Sequence, residues 1–159
     1  MAHLNHPNIA VVHEIGSQHG IDYIAMEYVS GARVTCLLGS LCPDDAFRLI
    51  AHIAHALAYA HESGVLHHDI KPGNLLVDED GRAVLVDFGI AIPATRSEDD
   101  GYCYGTLEFM APEYLEGHPY DATCEVYALG VVLYQLLVGR GRFPYWDAND
   151  WVKNPDAVL

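Results

Sequence analysis

Two apolar runs near the start of the chain, residues 9–15 and 23–29, read as β-strands. Between them lies Gly16-Ser17-Gln18-His19-Gly20, turn chemistry that suits an antiparallel hairpin. Pro43-Asp44-Asp45 then opens a helix, with proline in the first turn and acids at the positive end of the macrodipole. Phe47, Ile50, Ala54 and Leu57 recur at helical spacing, as do Leu49 and Ile53, which predicts one broad buried face. Ser63-Gly64 ends this helix. Leu75-Leu76-Val77 and Val84-Leu85-Val86 flank Asp78-Glu79-Asp80-Gly81, a second hairpin. Residues 90–104 lack periodicity and read as a mobile loop. Residues 124–138 are apolar all round, so a helix there is expected to run through the core, stopped by Gly139-Arg140-Gly141. From Arg142 the tail is rich in Pro, Asp and Asn and reads as a connection. No internal repeat interrupts the pattern, which predicts an α+β domain.

Composition narrows the function classes. The chain has 159 residues, enough for one domain with its own core, and a formal net charge of −14. Nucleic acid and anionic lipid both require a basic face, so neither is expected as a partner. The acidic runs Asp78-Glu79-Asp80 and Glu98-Asp99-Asp100 read as solvated turn and loop. Cys36, Cys42, Cys103 and Cys124 form no CxxC pair, which predicts reduced thiols and a cytoplasmic setting. No apolar run approaches the ~20 residues of a membrane span, so no membrane contact is expected from this segment. His52, His55 and His61 share a predicted helix, but no Cys or carboxylate joins them at zinc-like spacing, and they read as partly exposed helix residues.

The chemistry is concentrated in three blocks. They are His67-His68-Asp69-Ile70-Lys71-Pro72-Gly73-Asn74-Leu75-Leu76, then Asp87-Phe88-Gly89, then Ala111-Pro112-Glu113. A carboxylate that can take a hydroxyl proton, oxygen ligands for a hard cation, and a lysine beside a moving phosphate are what phosphoryl transfer asks of a protein. In that order the blocks resemble the catalytic loop, the metal-binding motif and the end of the activation segment of eukaryotic-type protein kinases, closest to bacterial eukaryotic-like serine/threonine kinases. Five fixed residues in the first block alone make a chance match roughly one in a few million.

What the resemblance implies can be set out residue by residue. It implies a kinase-like large lobe, mainly helical, with a remnant of the small-lobe antiparallel sheet. Residues 1–29 would form the end of the small lobe and the hinge, and residues 30–159 a partial large lobe. Leu4-Asn5-His6-Pro7-Asn8-Ile9 resembles the turn leaving the regulatory helix. Met26 matches the gatekeeper, while the Glu27 carbonyl and the Val29 amide would face adenine, with Leu76 beneath it. Asp69 would accept the proton of a protein hydroxyl, and Lys71 would neutralise charge on the γ-phosphoryl group of ATP. Asn74 and Asp87 would hold Mg²⁺. Lys71-Pro72 and Thr106 resemble the serine/threonine subclass; Thr106 and Glu113 would shape the platform for a Ser/Thr protein substrate.

Three residues depart from the family pattern. His68 stands where many members carry an arginine that binds a phosphorylated activation loop. Glu125 stands where an aspartate usually anchors the catalytic-loop backbone, and its extra methylene predicts a displaced anchor. Ala128 replaces a common serine. By the same resemblance the chain begins after the glycine-rich loop, the ATP-binding lysine and its glutamate partner, and ends before the last large-lobe helices. The expectation is therefore a truncated catalytic domain. The competing reading is a pseudokinase-like interaction module or the inactive remainder of a gene; phosphorylation of a small molecule is opposed by Ala111-Pro112-Glu113 and Gly105-Thr106.

Overall fold

The computed structural model describes residues 4–88 and 105–139. Its architecture is the expected α+β one, with small antiparallel sheets and two long helices. Strands β1 (Val12–Gln18) and β2 (Ile21–Met26) form one antiparallel pair, from Val12 opposite Met26 to Gln18 opposite Ile21. Strands β3 (Gly31–Arg33), β4 (Leu75–Asp78) and β5 (Ala83–Leu85) form a second antiparallel sheet in that order. Helix α1 is Pro43–Glu62, α2 the single turn Pro112–Leu115, and α3 Ala122–Val138.

The first hairpin is tighter than its sequence suggests. Both strands run on into the stretch read as a loop, so the turn is His19-Gly20 alone, at φ 54° and 77°. Two consecutive left-handed residues are what a two-residue turn needs to match the strands' right-handed twist. At the other end β1 begins at Val12, because Ile9 makes an isolated bridge with Leu85 and Ala10 donates to the Leu85 carbonyl at 2.9 Å. Strand β3 was not expected: three exposed residues carry no hydrophobic pattern, and only pairing with β4 defines them.

Helix α1 starts and stops where its caps predict, but the buried face differs. Ala46, Leu49, Ile53, Ala56, Leu57 and Ala60 face inward, whereas Phe47 is 54% exposed and Ala54 lies on the solvent side. Ala46, Leu49, Ile53 and Leu57 pack in the main core with residues of β5 and α3, the three larger side chains each contributing about 1.5–3 kcal/mol by burial, whereas Ala56 and Ala60 pack against Ile9. Helix α3 is buried on one side only. Ala128, Leu129, Val132 and Leu136 join the main core, while Val126 is 65% exposed and Leu137 and Val138 also reach solvent. A continuous apolar sequence marks no face, so periodicity could not show the exposed side. Asp121 caps α3, its side chain accepting from the Thr123 amide at 2.7 Å. The loop read over 90–104, the Arg140-Gly141 end of the helix stop and the tail from Arg142 lie outside the described residues.

Candidate active site

The segment between α1 and β4 is organised by His67, which is fully buried. Its Nδ1 accepts from the Asp69 amide at 3.2 Å, so the ring proton sits on Nε2 and is donated to the Val86 carbonyl at 3.0 Å. Burial pushes the imidazole pKa below its ordinary value, against the smaller opposing effects of the Val86 carbonyl and nearby carboxylates. A neutral ring therefore joins the loop to the strand that leads into Asp87, with Phe88 edge-on at 4.6 Å.

Asp69 stands next, nine-tenths buried, with both carboxylate oxygens engaged. Oδ1 accepts from the Thr106 hydroxyl at 2.7 Å; Oδ2 accepts from Lys71 Nζ at 2.5 Å and from Asn74 Nδ2 at 3.1 Å. Burial alone would raise the carboxyl pKa, but hydrogen bonds from Lys71, Thr106 and Asn74 outweigh it and hold the group below the usual carboxylate range. Lys71 Nζ also donates to Thr106 Oγ1 at 3.0 Å, closing a ring of Asp69, Lys71 and Thr106. Thr106 follows Gly105, whose φ of 117° few other residues adopt and where a Cβ would lie only 2.7 Å from the His68 carbonyl oxygen. The structure thus brings together four of the residues named from sequence.

Asn74 is fixed by its own amide, which also donates to the Asp69 carbonyl at 2.8 Å. With Nδ2 making both contacts, Oδ1 is the side-chain oxygen that could face a cation. The Val86 amide donates to the Asn74 carbonyl at 2.9 Å, which puts Asp87 one residue beyond a direct backbone link to Asn74. Asp87 is exposed and left-handed, φ 66°, an uncommon conformation for a non-glycine residue. Among the described residues no group of three or more His, Cys, Asp or Glu is placed to hold a metal ion by itself. A carboxylate and an amide oxygen suit a cation that keeps waters and binds phosphate oxygens, which fits Mg²⁺.

Glu125 does bond the loop backbone, at the place where the resemblance expects an aspartate. Glu125 is fully buried; Oε1 accepts from the His67 amide at 2.5 Å and the His68 amide at 2.8 Å. Oε2 takes His61 Nε2 at 2.6 Å. The longer side chain therefore spans from the loop backbone to the last turn of α1. His61 was named in the sequence as a partly exposed helix residue, which it is; nothing local signals a partner 64 positions away. His68, held at φ 67° by these bonds, stacks on Tyr120 with ring centroids 4.4 Å apart. Burial raises the Tyr120 hydroxyl pKa strongly, with Glu125 adding to it.

The four residues named for nucleotide contact fall on β2, on the segment after it and on β4. Met26 ends β2, Glu27 follows, and Val29 and Leu76 pack with Ala10, Val84 and Val86 in one apolar cluster. Glu113 is half-buried in α2, its carbonyl accepting from the His118 amide at 3.0 Å and its carboxylate raising the Cys124 thiol pKa behind burial. Cys36 and Cys42 are exposed free thiols and Cys124 a buried one; Cys103 lies outside the described residues.

The family model described as protein kinase domain matches residues 1–156. The serine/threonine-protein kinase PrkC of Bacillus subtilis is 37% identical over 88% of this chain, which covers 22% of PrkC. PknB of Mycobacterium leprae is 35% identical over 89% of the chain and 24% of its own length. PknJ of Mycobacterium bovis is 39% identical over 89% and 26%. The chain thus spans about a quarter of the length of these curated relatives.

Proposed function

Since the chain belongs to the protein kinase domain family, we propose that it is part of the catalytic domain of an ATP-dependent protein serine/threonine kinase. Residues 1–29 form the end of the small lobe and the hinge, residues 30–159 a partial large lobe. The observation that carries the reading is the closed hydrogen-bond ring of Asp69, Lys71 and Thr106, with Asn74 locked onto Asp69.

In this reading Asp69 accepts the hydroxyl proton of a serine or threonine side chain. Its carboxyl is held ionised, so it first orients the hydroxyl and takes the proton as the new oxygen–phosphorus bond forms and the bond from the γ-phosphorus to the bridging oxygen breaks, ADP leaving. Lys71, fixed against both Asp69 and Thr106, neutralises charge on the transferred phosphoryl group. Asn74 and Asp87 hold Mg²⁺, which when bound neutralises charge on the phosphates. The Glu27 carbonyl and Val29 amide take adenine between Met26 and Leu76, and Thr106 and Glu113 shape the platform for the protein substrate. The exposed Cys36 and Cys42 thiols support a reducing, cytoplasmic setting. Among the described residues no helix is long and apolar enough to cross a membrane.

The test is titration of ATP with and without Mg²⁺ against three chains. The unaltered chain is expected to bind Mg²⁺-dependently. Asp69→Asn retains that dependence, because Asp69 addresses the hydroxyl, whereas Asp87→Asn loses it. Binding that ignores both Mg²⁺ and Asp87 overturns the assignment and favours the non-catalytic interaction module, a reading to which the exposed apolar residues Ile15, Ile21 and Tyr28 of the hairpin region lend support.

A further inference from the structure

Arg82 sits in the turn between β4 and β5, immediately before Ala83, and joins three chain segments. Its base is fixed by Asp78: the Arg82 amide donates to Oδ1 at 2.8 Å and Nε donates to Oδ2 at 2.8 Å. The same Asp78 Oδ1 accepts from the Asp80 amide at 3.1 Å, so the whole turn is braced around one carboxylate. That leaves the two outer nitrogens of the guanidinium to reach outward. One donates to the Pro7 carbonyl at 2.8 Å, and the other meets Glu27 Oε1 at 3.4 Å.

Glu27 is closed from the other side as well. Its Oε2 accepts from the Val11 amide at 3.2 Å and its own amide donates to the Val11 carbonyl at 2.7 Å. Among the described residues, its amide and both carboxylate oxygens are thus occupied by Val11 and Arg82, and its carbonyl remains as the polar group left over. That carbonyl is the atom assigned above to adenine.

We infer that Arg82 is a positioning residue for the base-binding edge of the site: bridging Pro7, Glu27 and Asp78, it fixes the orientation of the Glu27 peptide. This rests on the nucleotide reading of the hinge. The planar fork is what the position demands, since one guanidinium supplies separate donors in three directions. Lysine, a single point charge, can serve Glu27 or Pro7 but not both while staying on Asp78.

The experiment uses the chain itself with Arg82→Lys, Arg82→Gln, Glu27→Gln and the double variant Arg82→Gln/Glu27→Gln. Three quantities are measured: adenosine affinity, affinity for Mg²⁺ with inorganic tripolyphosphate, and amide hydrogen exchange along the chain. Arg82→Gln is expected to weaken adenosine roughly three- to tenfold, the scale of one or two charge-assisted contacts. Tripolyphosphate binding stays unchanged, Arg82→Lys falls between, and the double variant loses no more than Arg82→Gln. Exchange accelerates at residues 27–29 while the core of α1 keeps its protection. Equal losses for adenosine and tripolyphosphate, with exchange accelerated through α1 as well, would mark a merely structural residue and overturn the inference. Unchanged exchange at residues 27–29 overturns it too. If the unaltered chain binds no adenosine, the nucleotide reading falls by itself; the exchange arm still decides whether Arg82 holds the hinge.

Discussion

Replacing Glu125 by glutamine keeps the side chain's shape and removes its charge, which tests what the buried carboxylate does for the two loop amides and for His61. In the structure one oxygen accepts two backbone amides, from His67 at 2.5 Å and His68 at 2.8 Å, and the residue is 0% exposed. A hydrogen bond to a charged acceptor exceeds a neutral one by about 1 kcal/mol, so two such bonds put the loss at about 2 kcal/mol. For a chain of this size that lowers the melting temperature by about 4–8 °C. Truncation to alanine would leave both amides buried without an acceptor, costing ~2–6 kcal/mol before any cavity is counted, a large share of a typical domain's 5–15 kcal/mol. Glutamine is therefore the informative change. The assay is a near-UV circular dichroism melt combined with amide exchange at residues 67 and 68. Faster exchange at those two amides and a lowered melt are expected. An unshifted melt with both amides equally protected would refute the argument that this carboxylate, and not the loop's own packing, holds His68 at its positive φ.

Acid should destabilise the chain in two steps. The folded-state pKa values of His67 and Asp69 both lie below their ordinary 6.5 and 3.8, so the unfolded chain binds more protons; stability is full above pH 6.5, falls as pH drops below it, and falls again below 3.8. Urea midpoints followed from neutral to acid pH check this, and a midpoint independent of pH between neutrality and about 5 contradicts the His67 part. Ile53→Ala, at a fully buried site on α1, should cost about 2–5 kcal/mol, whereas Phe47→Ala on the exposed face should change stability by less than ~0.5 kcal/mol; equal effects in urea unfolding would contradict the observed burial. Gly20→Ala places a side chain at φ 77° and should cost the first hairpin ~1–2 kcal/mol, read as faster exchange in β1, while His19→Asn should be neutral or mildly stabilising.

The contrast between local and distant partners explains what could be read from the sequence. Asp69, Lys71 and Asn74 lie within one short motif that the resemblance singles out, and the structure bonds them to one another. Thr106 is 37 residues from Asp69 and was found only because its own motif stands out. The His61–Glu125 bond joins two helices across 64 positions, and the Arg82–Glu27 contact crosses 55; neither residue sits in a pattern that names its partner. The same limit shows in the fold. Helix α1 carries caps that fix its ends, but Phe47 and Leu49 are equally apolar, and only the position of β5 and α3 decides which turns inward. Turn chemistry was spread over five residues, whereas backbone twist placed the reversal at His19-Gly20.

The most direct measurement of the proposed chemistry is phosphoryl transfer from γ-labelled ATP by this chain fused behind the small lobe of the Bacillus subtilis relative, compared with the same fusion carrying Asp69→Asn. The account predicts label on serine or threonine of a protein substrate, reduced about a hundredfold or more by Asp69→Asn while Mg²⁺-dependent ATP affinity stays the same. Normal Mg²⁺–ATP binding with no labelled protein, or full transfer by the Asp69→Asn fusion, would contradict it.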